Sequence, residues 1–305
     1  MKRSILLIFL SSCIVITSAA QQAKEYTIWN PAKDALPVVQ GQAWPTEVKS
    51  FYDRLPARAE AIVRKPVWDL SRNAAGLQLQ FQTNADELII KYTVSSQHQM
   101  QHMPATGASG IDLYAKTIDG QWTWAAGKYA FGDTIVYRFS NLSTNDQHVK
   151  DHEYTLYLPL YNSVVWMEIS YPKQCSFKPL KASTEKPIVV YGTSIAQGGC
   201  ASRPGLAWTN ILQRKLDRPI INLAFSGNGR LENELVELIT EIDATLFVLD
   251  CLPNLTGTYV SNGELHKRIV NAVVTLQAKK PGIPILLTEH DGYTDEGMNL
   301  VRKKD

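Results

Sequence analysis

Two rhythms divide this 305-residue sequence and predict its fold class: an antiparallel β-sandwich followed by a parallel α/β/α domain. From about Tyr26 to Phe177, apolar and polar residues alternate with period two, and no ten-residue amphipathic helix interrupts them. After the polar, proline-bracketed stretch "KPLKASTEKP" (178–187), short apolar runs alternate with helical patterns. The domains are accordingly expected at 21–180 and 181–305, behind a leader at 1–20.

In the first half, "LQLQFQT" (77–83) and "ELIIKYTV" (87–94) alternate most clearly, and "TLYLPLY" (155–161) and "VVWMEIS" (164–170) are further strands. "TNAD", "IDGQ" and "SNLSTND" supply turns between them. Many short strands at close spacing fit a sandwich of about 150 residues. In the second half, "IVVYG" (188–192), "IINLAF" (220–225), "TLFVLD" (245–250) and "IPILLTE" (283–289) read as buried strands. Helices are predicted between them. The first is "GLAWTNILQRKL" (205–216), with Ala207, Trp208, Ile211 and Leu212 inward. "LENELVELITEI" (231–242) places Leu231, Leu235, Leu238, Ile239 and Ile242 on one face, and "ELHKRIVNAVVTLQAKK" (264–280) follows. Apolar strands alternating with amphipathic helices imply a parallel sheet covered on both faces.

Lys2 and Arg3 precede an apolar run from Ile5 to Ile16, and Ser18 and Ala20 sit at positions −3 and −1 of a cut before Gln21. That is the pattern of a secretory signal. "LSSC" (10–13) resembles a bacterial lipobox, which would make Cys13 a lipid anchor, but the apolar "IVITSAA" behind it is not the polar tether a lipoprotein needs. A secreted or periplasmic protein is expected, with membrane contact only through a lipidated Cys13. A net charge of +2 with interspersed signs offers no nucleic-acid surface. Cys175, Cys200 and Cys251 leave at least one thiol unpaired, and Cys251, inside "LFVLDCL", reads as a buried hydrophobe.

Ligands of parallel sheets bind at the carboxyl ends of the strands. There the sequence offers Gly192-Thr193-Ser194-Ile195, then Ser226-Gly227-Asn228-Gly229, then Asp250 with Asn254, then Glu289-His290-Asp291. A serine attacking an acyl carbon needs N–H donors aimed at the oxygen that becomes negative. The backbone N–H groups of Ser194 and Gly227 and the Asn254 side chain could supply three. A plainer reading makes Ser194 a cap for the next helix, which leaves the donors after the second and third strands unexplained.

"YGTSI", "LAFSGNG" and "LDCLPN" stand in this order at three strand ends. They resemble three of the four blocks of the SGNH (GDSL-type) hydrolases, with Thr193 in place of the usual Asp. "GASGIDLY" (107–114) resembles the Gly-x-Asp-Leu-Tyr signature of the β-rich domain preceding some bacterial members. The resemblance implies a flavodoxin-like sheet, Ser194 as nucleophile, and Ser194, Gly227 and Asn254 as the oxyanion hole. It implies an exported serine ester hydrolase that works through an acyl-enzyme without a cofactor. By analogy with exported members that carry a β-sandwich, the substrate would be an acylated small molecule or an acetylated glycan. The family takes its base from Asp-x-x-His after a fifth strand, and this sequence runs to "NLVRKKD" without that block. The expectation is therefore a C-terminally incomplete α/β domain with impaired activity. The competing expectation is a non-catalytic glycan-binding protein with a degenerate hydrolase domain.

His290, at the end of the fourth strand, is the histidine best placed to substitute as the base, but is expected instead to contact substrate or to be a structural polar residue, and His266 to lie on a helix surface. His98/His102 and His148/His152 form two i,i+4 pairs, but "HQMQH" and "HVKDH" lie in turn-like stretches and lack the Glu of the metalloprotease motif. Polar loop residues are expected there, and no metal. "GTSIAQGG" has neither G-x-G-x-x-G nor the P-loop Lys-Ser/Thr, so no nucleotide is expected. Nor is it the G-x-S-x-G elbow, because Ala196 fills the last position. "HMPATGASG" (102–110) is a loop long enough to cover a neighbouring site.

Overall fold

The computed structural model describes residues 24–142, 152–256 and 260–290, with 292, 295, 297–300 and 303 beyond them. The leader, Cys13 and His148 lie outside the described residues.

The first part contains β1 (Tyr26–Trp29), β2 (Val39–Gln40), β3 (Gln78–Thr83), β4 (Glu87–Val94), β5 (Asp112–Lys116) and β6 (Trp122–Ala125). It continues with β7 (Lys128–Ala130), β8 (Ile135–Ser140), β9 (Glu153–Tyr157), β10 (Val164–Pro172) and β11 (Phe177–Pro179). Two short helices, α1 (Lys65–Ser71) and α2 (Ala105–Ala108), lie among them. The strands form two antiparallel sheets, β1-β10-β4-β8-β7 and β11-β3-β9-β5-β6, with β2 beside β3. Period-two alternation does what it predicts. Leu79 and Phe81 of β3, Leu88 and Ile90 of β4, Phe139 of β8 and Leu156 of β9 enter one core, while Gln80 and Gln82 face the other way. Two boundaries differ from the sequence reading. β9 stops at Tyr157, because the chain turns away towards the second part, and β11 lies inside the expected linker, paired with β3.

The second part contains β12 (Ile188–Gly192), α3 (Ser194–Gln197), α4 (Trp208–Leu216), β13 (Ile220–Ala224), α5 (Asn233–Ile239), β14 (Leu246–Asp250), α6 (Asn262–Lys279) and β15 (Ile285–Leu287). Its four strands are parallel, in the order β13-β12-β14-β15. The chain enters at β12, steps to one side, then crosses to the other. Such a reversal marks where ligands of parallel sheets bind, here the carboxyl ends of β12 and β14. Val189, Tyr191, Leu223, Phe247 and Leu249 pack with Leu235, Leu238 and Ile239 of α5 and Ala272 and Leu276 of α6. Val190, Ala224 and Val248 face Ala196 and Trp208 in a separate cluster.

The inward face of α4 is not the apolar one expected. Thr209, Asn210 and Gln213 are buried, whereas Ile211 is half-buried and Leu212 exposed; of the predicted apolar set, only Ala207, the residue before the helix, is fully buried. The reason is that α4 meets polar partners and its inward groups are all used. Asn222 Nδ2 donates to Thr209 Oγ1 at 3.1 Å, Asn210 Nδ2 to Pro204 O at 2.9 Å, and the Tyr157 hydroxyl donates to Gln213 Oε1. Hydrogen bonding removes the penalty of burying such groups.

β13 is an edge strand, and its outer side is closed by the first part of the chain. Phe225 N–H donates to Gly192 O at 2.9 Å, so alternation turns the carbonyls of Asn222 and Ala224 away from β12. Both accept from Arg54 Nη1, at 3.0 and 2.9 Å. Arg54 Nε and Nη2 donate to the carbonyls of Asn73 and Leu70, at 2.8 and 2.7 Å, and the guanidinium lies 5.0 Å from the Phe225 ring centre. Burial pulls its pKa down to about 9, which still leaves it cationic at neutral pH. Around this anchor Trp44, Leu55, Val67 and Trp68 join the core beneath β12 and β13. At the opposite edge β15 pairs with β14 alone among the described residues, and Leu286 and Leu287 are 50% and 46% exposed. Replacing Arg54 by Ala strips four carbonyls, two of them buried, of their donor and should cost about 3–5 kcal/mol of stability. The urea unfolding midpoint measures this, and a loss below about 1 kcal/mol would show that water serves the edge equally well.

Candidate active site

Ser194 stands half-buried at the end of β12, as the first residue of α3. Thr193, fully buried, caps that helix weakly: its hydroxyl accepts from Ile195 N–H at 3.4 Å. A four-residue helix cannot sustain itself, and this one is held from outside. Ser194 O accepts from the helix's own capping Gly198 and Gly199 N–H groups at 3.1 and 2.7 Å and, from outside, from the Tyr161 hydroxyl at 3.1 Å. Ala196 O accepts from Asn222 Nδ2 at 2.7 Å. Burial pushes the Tyr161 pKa up to about 12, against a hydrogen bond with Ser226, so its hydroxyl remains a donor at neutral pH.

After β13 the chain makes a turn from Phe225 to Asn228, closed by Asn228 N–H donating to Phe225 O at 2.8 Å. Gly227 occupies its third position with φ +68°, the conformation for which such turns use glycine. Gly229 answers a different constraint: a Cβ there would overlap the Gly192 carbonyl and come within 3.1 Å of Thr193 N. The turn therefore exits in direct contact with the end of β12. After β14, a 3-10 turn over Leu252–Asn254 buries Asn254, whose Oδ1 accepts from Gly229 N–H at 3.2 Å. An N–H can be met only by the amide oxygen, which fixes the orientation and leaves Nδ2 as a donor. Among the described residues that Nδ2 meets no acceptor, and neither do the N–H groups of Ser194 and Gly227. The loops that carry Ser194, Gly227 and Asn254 thus meet at one rim, with Gly229 as their point of contact.

The other candidates lie apart. His290 follows β15, half-buried, its Nδ1 accepting from Gly292 N–H at 2.8 Å, and no hydrogen bond joins it to Ser194. His266 is exposed on α6. His98 lies 5.5 Å from the Phe131 ring centre, His102 is in an exposed turn, and His152 has φ +52°. Among the described residues no group of three or more His, Cys, Asp or Glu is placed to hold a metal ion. Cys251 is buried, as its apolar run predicts, and Cys175 and Cys200 are unpaired thiols. The stretch 102–110 contains α2 and packs on the loop after α3, where Thr106 Oγ1 donates to Ser202 O at 2.7 Å.

That same loop explains the Gly-x-Asp-Leu-Tyr stretch, whose physical role the sequence did not reveal. A Cβ on Gly110 would press within 2.6 Å of the Tyr137 hydroxyl. Asp112, buried on β5, accepts from Trp124 Nε1 at 2.6 Å, Gly205 N–H at 3.0 Å and Arg203 Nη1 at 3.0 Å. Burial raises its pKa, and Arg203 with the other donors acts in the opposite direction. Arg203 also lies 4.1 Å from the Trp124 ring centre, and Arg214 of α4 lies 3.9 Å from that of Tyr114. The signature is a dock for residues 203–214, the segment after the Ser194 helix.

Two family models match the chain. GxDLY, the N-terminus of SGNH hydrolase-type esterases, matches residues 26–177, and the GDSL-like Lipase/Acylhydrolase family matches 185–305. The crystal structure of a protein from Bacteroides ovatus ATCC 8483, described as a GDSL-like lipase, is similar with a TM-score of 0.81 at 31% identity, over 92% of this chain and 79% of its own. The chain belongs to the SGNH (GDSL-type) hydrolase family. The salicylyl-acyltransferase SsfX3 from a tetracycline biosynthetic pathway shares the fold, with a TM-score of 0.63 at 18% identity over 85% of this chain and 71% of its own. No curated protein matched. For this SGNH hydrolase the two glycines of the turn make separate expectations. Gly227→Asn, which tolerates positive φ, should destabilise less than Gly227→Val. Gly229→Ala should cost about 3 kcal/mol, because backbone must move to admit one methyl group. Thermal unfolding of the three variants checks the ranking.

Proposed function

We propose that this SGNH hydrolase cleaves esters through an acyl-enzyme on Ser194. The observation that supports the reading is Gly229, wedged against Gly192 and Thr193 and hydrogen-bonded to Asn254, so that the loops carrying Ser194, Gly227 and Asn254 touch. In the reaction, Ser194 Oγ attacks the carbonyl carbon and its proton passes to a base. The carbonyl oxygen becomes negative and receives the N–H groups of Ser194 and Gly227 and the Nδ2 of Asn254. The C–O bond to the alcohol breaks, the alcohol leaves protonated, and water releases the acid from Ser194. Each donor that meets the oxyanion is worth about 3–4 kcal/mol of barrier.

The Ser194 hydroxyl has no hydrogen-bonded histidine among the described residues. A serine nucleophile needs a base to take its proton at neutral pH. His290 is proposed as a contact on the substrate side. The substrate is proposed to be an acylated small molecule or an acetylated glycan, by the family resemblance of the two-part layout, in an exported protein with the first part packed as a sandwich.

A fluorophosphonate should label Ser194, and Ser194→Ala should abolish both labelling and p-nitrophenyl acetate turnover while the fold persists. Retained turnover in that variant would remove Ser194 from the chemistry, and glycan binding without labelling would favour a non-catalytic protein. Asn254→Ala should lower kcat about 10²–10³-fold with a smaller change in KM, because its donor acts mainly on charge that develops in the transition state. A change confined to KM would make Asn254 an ordinary substrate contact.

A further inference from the structure

Gln197 lies one helical turn after Ser194, with its side chain fully buried. A buried carboxamide needs partners for both of its ends, and this one finds them in three separate segments. Its Nε2 donates to Asn73 Oδ1 at 3.3 Å and to Leu160 O at 3.2 Å, both from the β-rich part. Its Oε1 accepts the N–H of Ser226 at 2.8 Å, the residue before Gly227. Next to Leu160, Tyr161 donates to Ser194 O. One short stretch of the β-rich part thus reaches the serine directly and the Gly227 turn through Gln197.

We infer that Gln197 is a positioning residue that sets the Gly227 turn in register with Ser194, and that the β-rich part is thereby a working component of the acyl-transfer site. The inference rests on the acyl-transfer reading above. An apolar side chain of the same length would fill the same space. What it could not do is hold the Ser226 peptide, and with it the plane from which the next N–H points. Placement matters because a donor or reacting group displaced by about 1 Å can cost ~10²-fold in rate. Gln197 touches no substrate in this scheme.

Gln197→Met keeps length and removes the amide donor and the carbonyl acceptor, leaving only a weakly accepting sulfur. Its Ser226 amide should exchange hydrogen at least about 10-fold faster relative to the amides of β12, and fluorophosphonate labelling of Ser194 should slow by about 10- to 100-fold. Gln197→Glu is the second variant, for the case in which Gln197→Met does not fold. Its carboxyl accepts from Ser226 in either state but donates to Leu160 O only when protonated, and burial raises its pKa. Its labelling rate relative to the unsubstituted protein should therefore fall as pH rises. Labelling of Gln197→Met at the unsubstituted rate, an unchanged Ser226 amide, or a pH-independent ratio for Gln197→Glu would overturn the inference alone. Failure of the unsubstituted protein to label at Ser194 would overturn the acyl-transfer reading, and this inference with it.

Discussion

A buried guanidinium closes one edge of the parallel sheet, and much of the molecule is arranged around that closure. β13 would otherwise present the Asn222 and Ala224 carbonyls to solvent, an open template for pairing with another chain. Arg54 takes both, and its remaining donors reach Leu70 and Asn73. A neutral side chain could satisfy one or two of these carbonyls. The planar fork of Arg meets four at once, and the Phe225 ring face helps offset the lost hydration. Because Arg54 precedes β3 in sequence yet belongs spatially to β13, the two parts of the chain share one core, with Trp44, Leu55 and Trp68 beneath β12 and β13.

The candidate site inherits this arrangement. α3 is too short to define the position of Ser194 by its own ladder, so its carbonyls are held by Tyr161 and Asn222. The Gly227 turn is held by Gln197 from one side and by the contact of Gly229 with the end of β12 from the other. Asp112 and Arg203 then fix the loop that leads away from α3. Nearly every group that defines the rim is a buried polar side chain or a glycine, and few are apolar. Hydrogen bonds specify direction where packing specifies only volume, and a site whose donors must point at one oxygen needs direction.

The sequence by itself determined most strand positions, the change from antiparallel to parallel pairing, and the placing of Ser194, Gly227 and Asn254 in loops after three parallel strands. These rest on local physics: alternation for half-buried strands, continuous apolar runs for strands covered on both faces, and turn chemistry after each. The same reasoning failed on α4, where Ile211 and Leu212 looked inward and Thr209, Asn210 and Gln213 are buried. Periodicity identifies a buried face only when the neighbour is apolar, and the neighbours of α4 are Tyr157, Asn222 and the Pro204 carbonyl. Asn222 and Tyr161 were visible as polar atoms in or beside apolar runs, yet nothing local said what they would hold. Only the tertiary structure decided that Arg54 closes β13, that Asp112 docks the 203–214 segment, and that Gln197 joins three loops. Each pairs groups tens of residues or more apart in the chain, and a hydrogen bond across that separation depends on where the folded backbone brings the two ends.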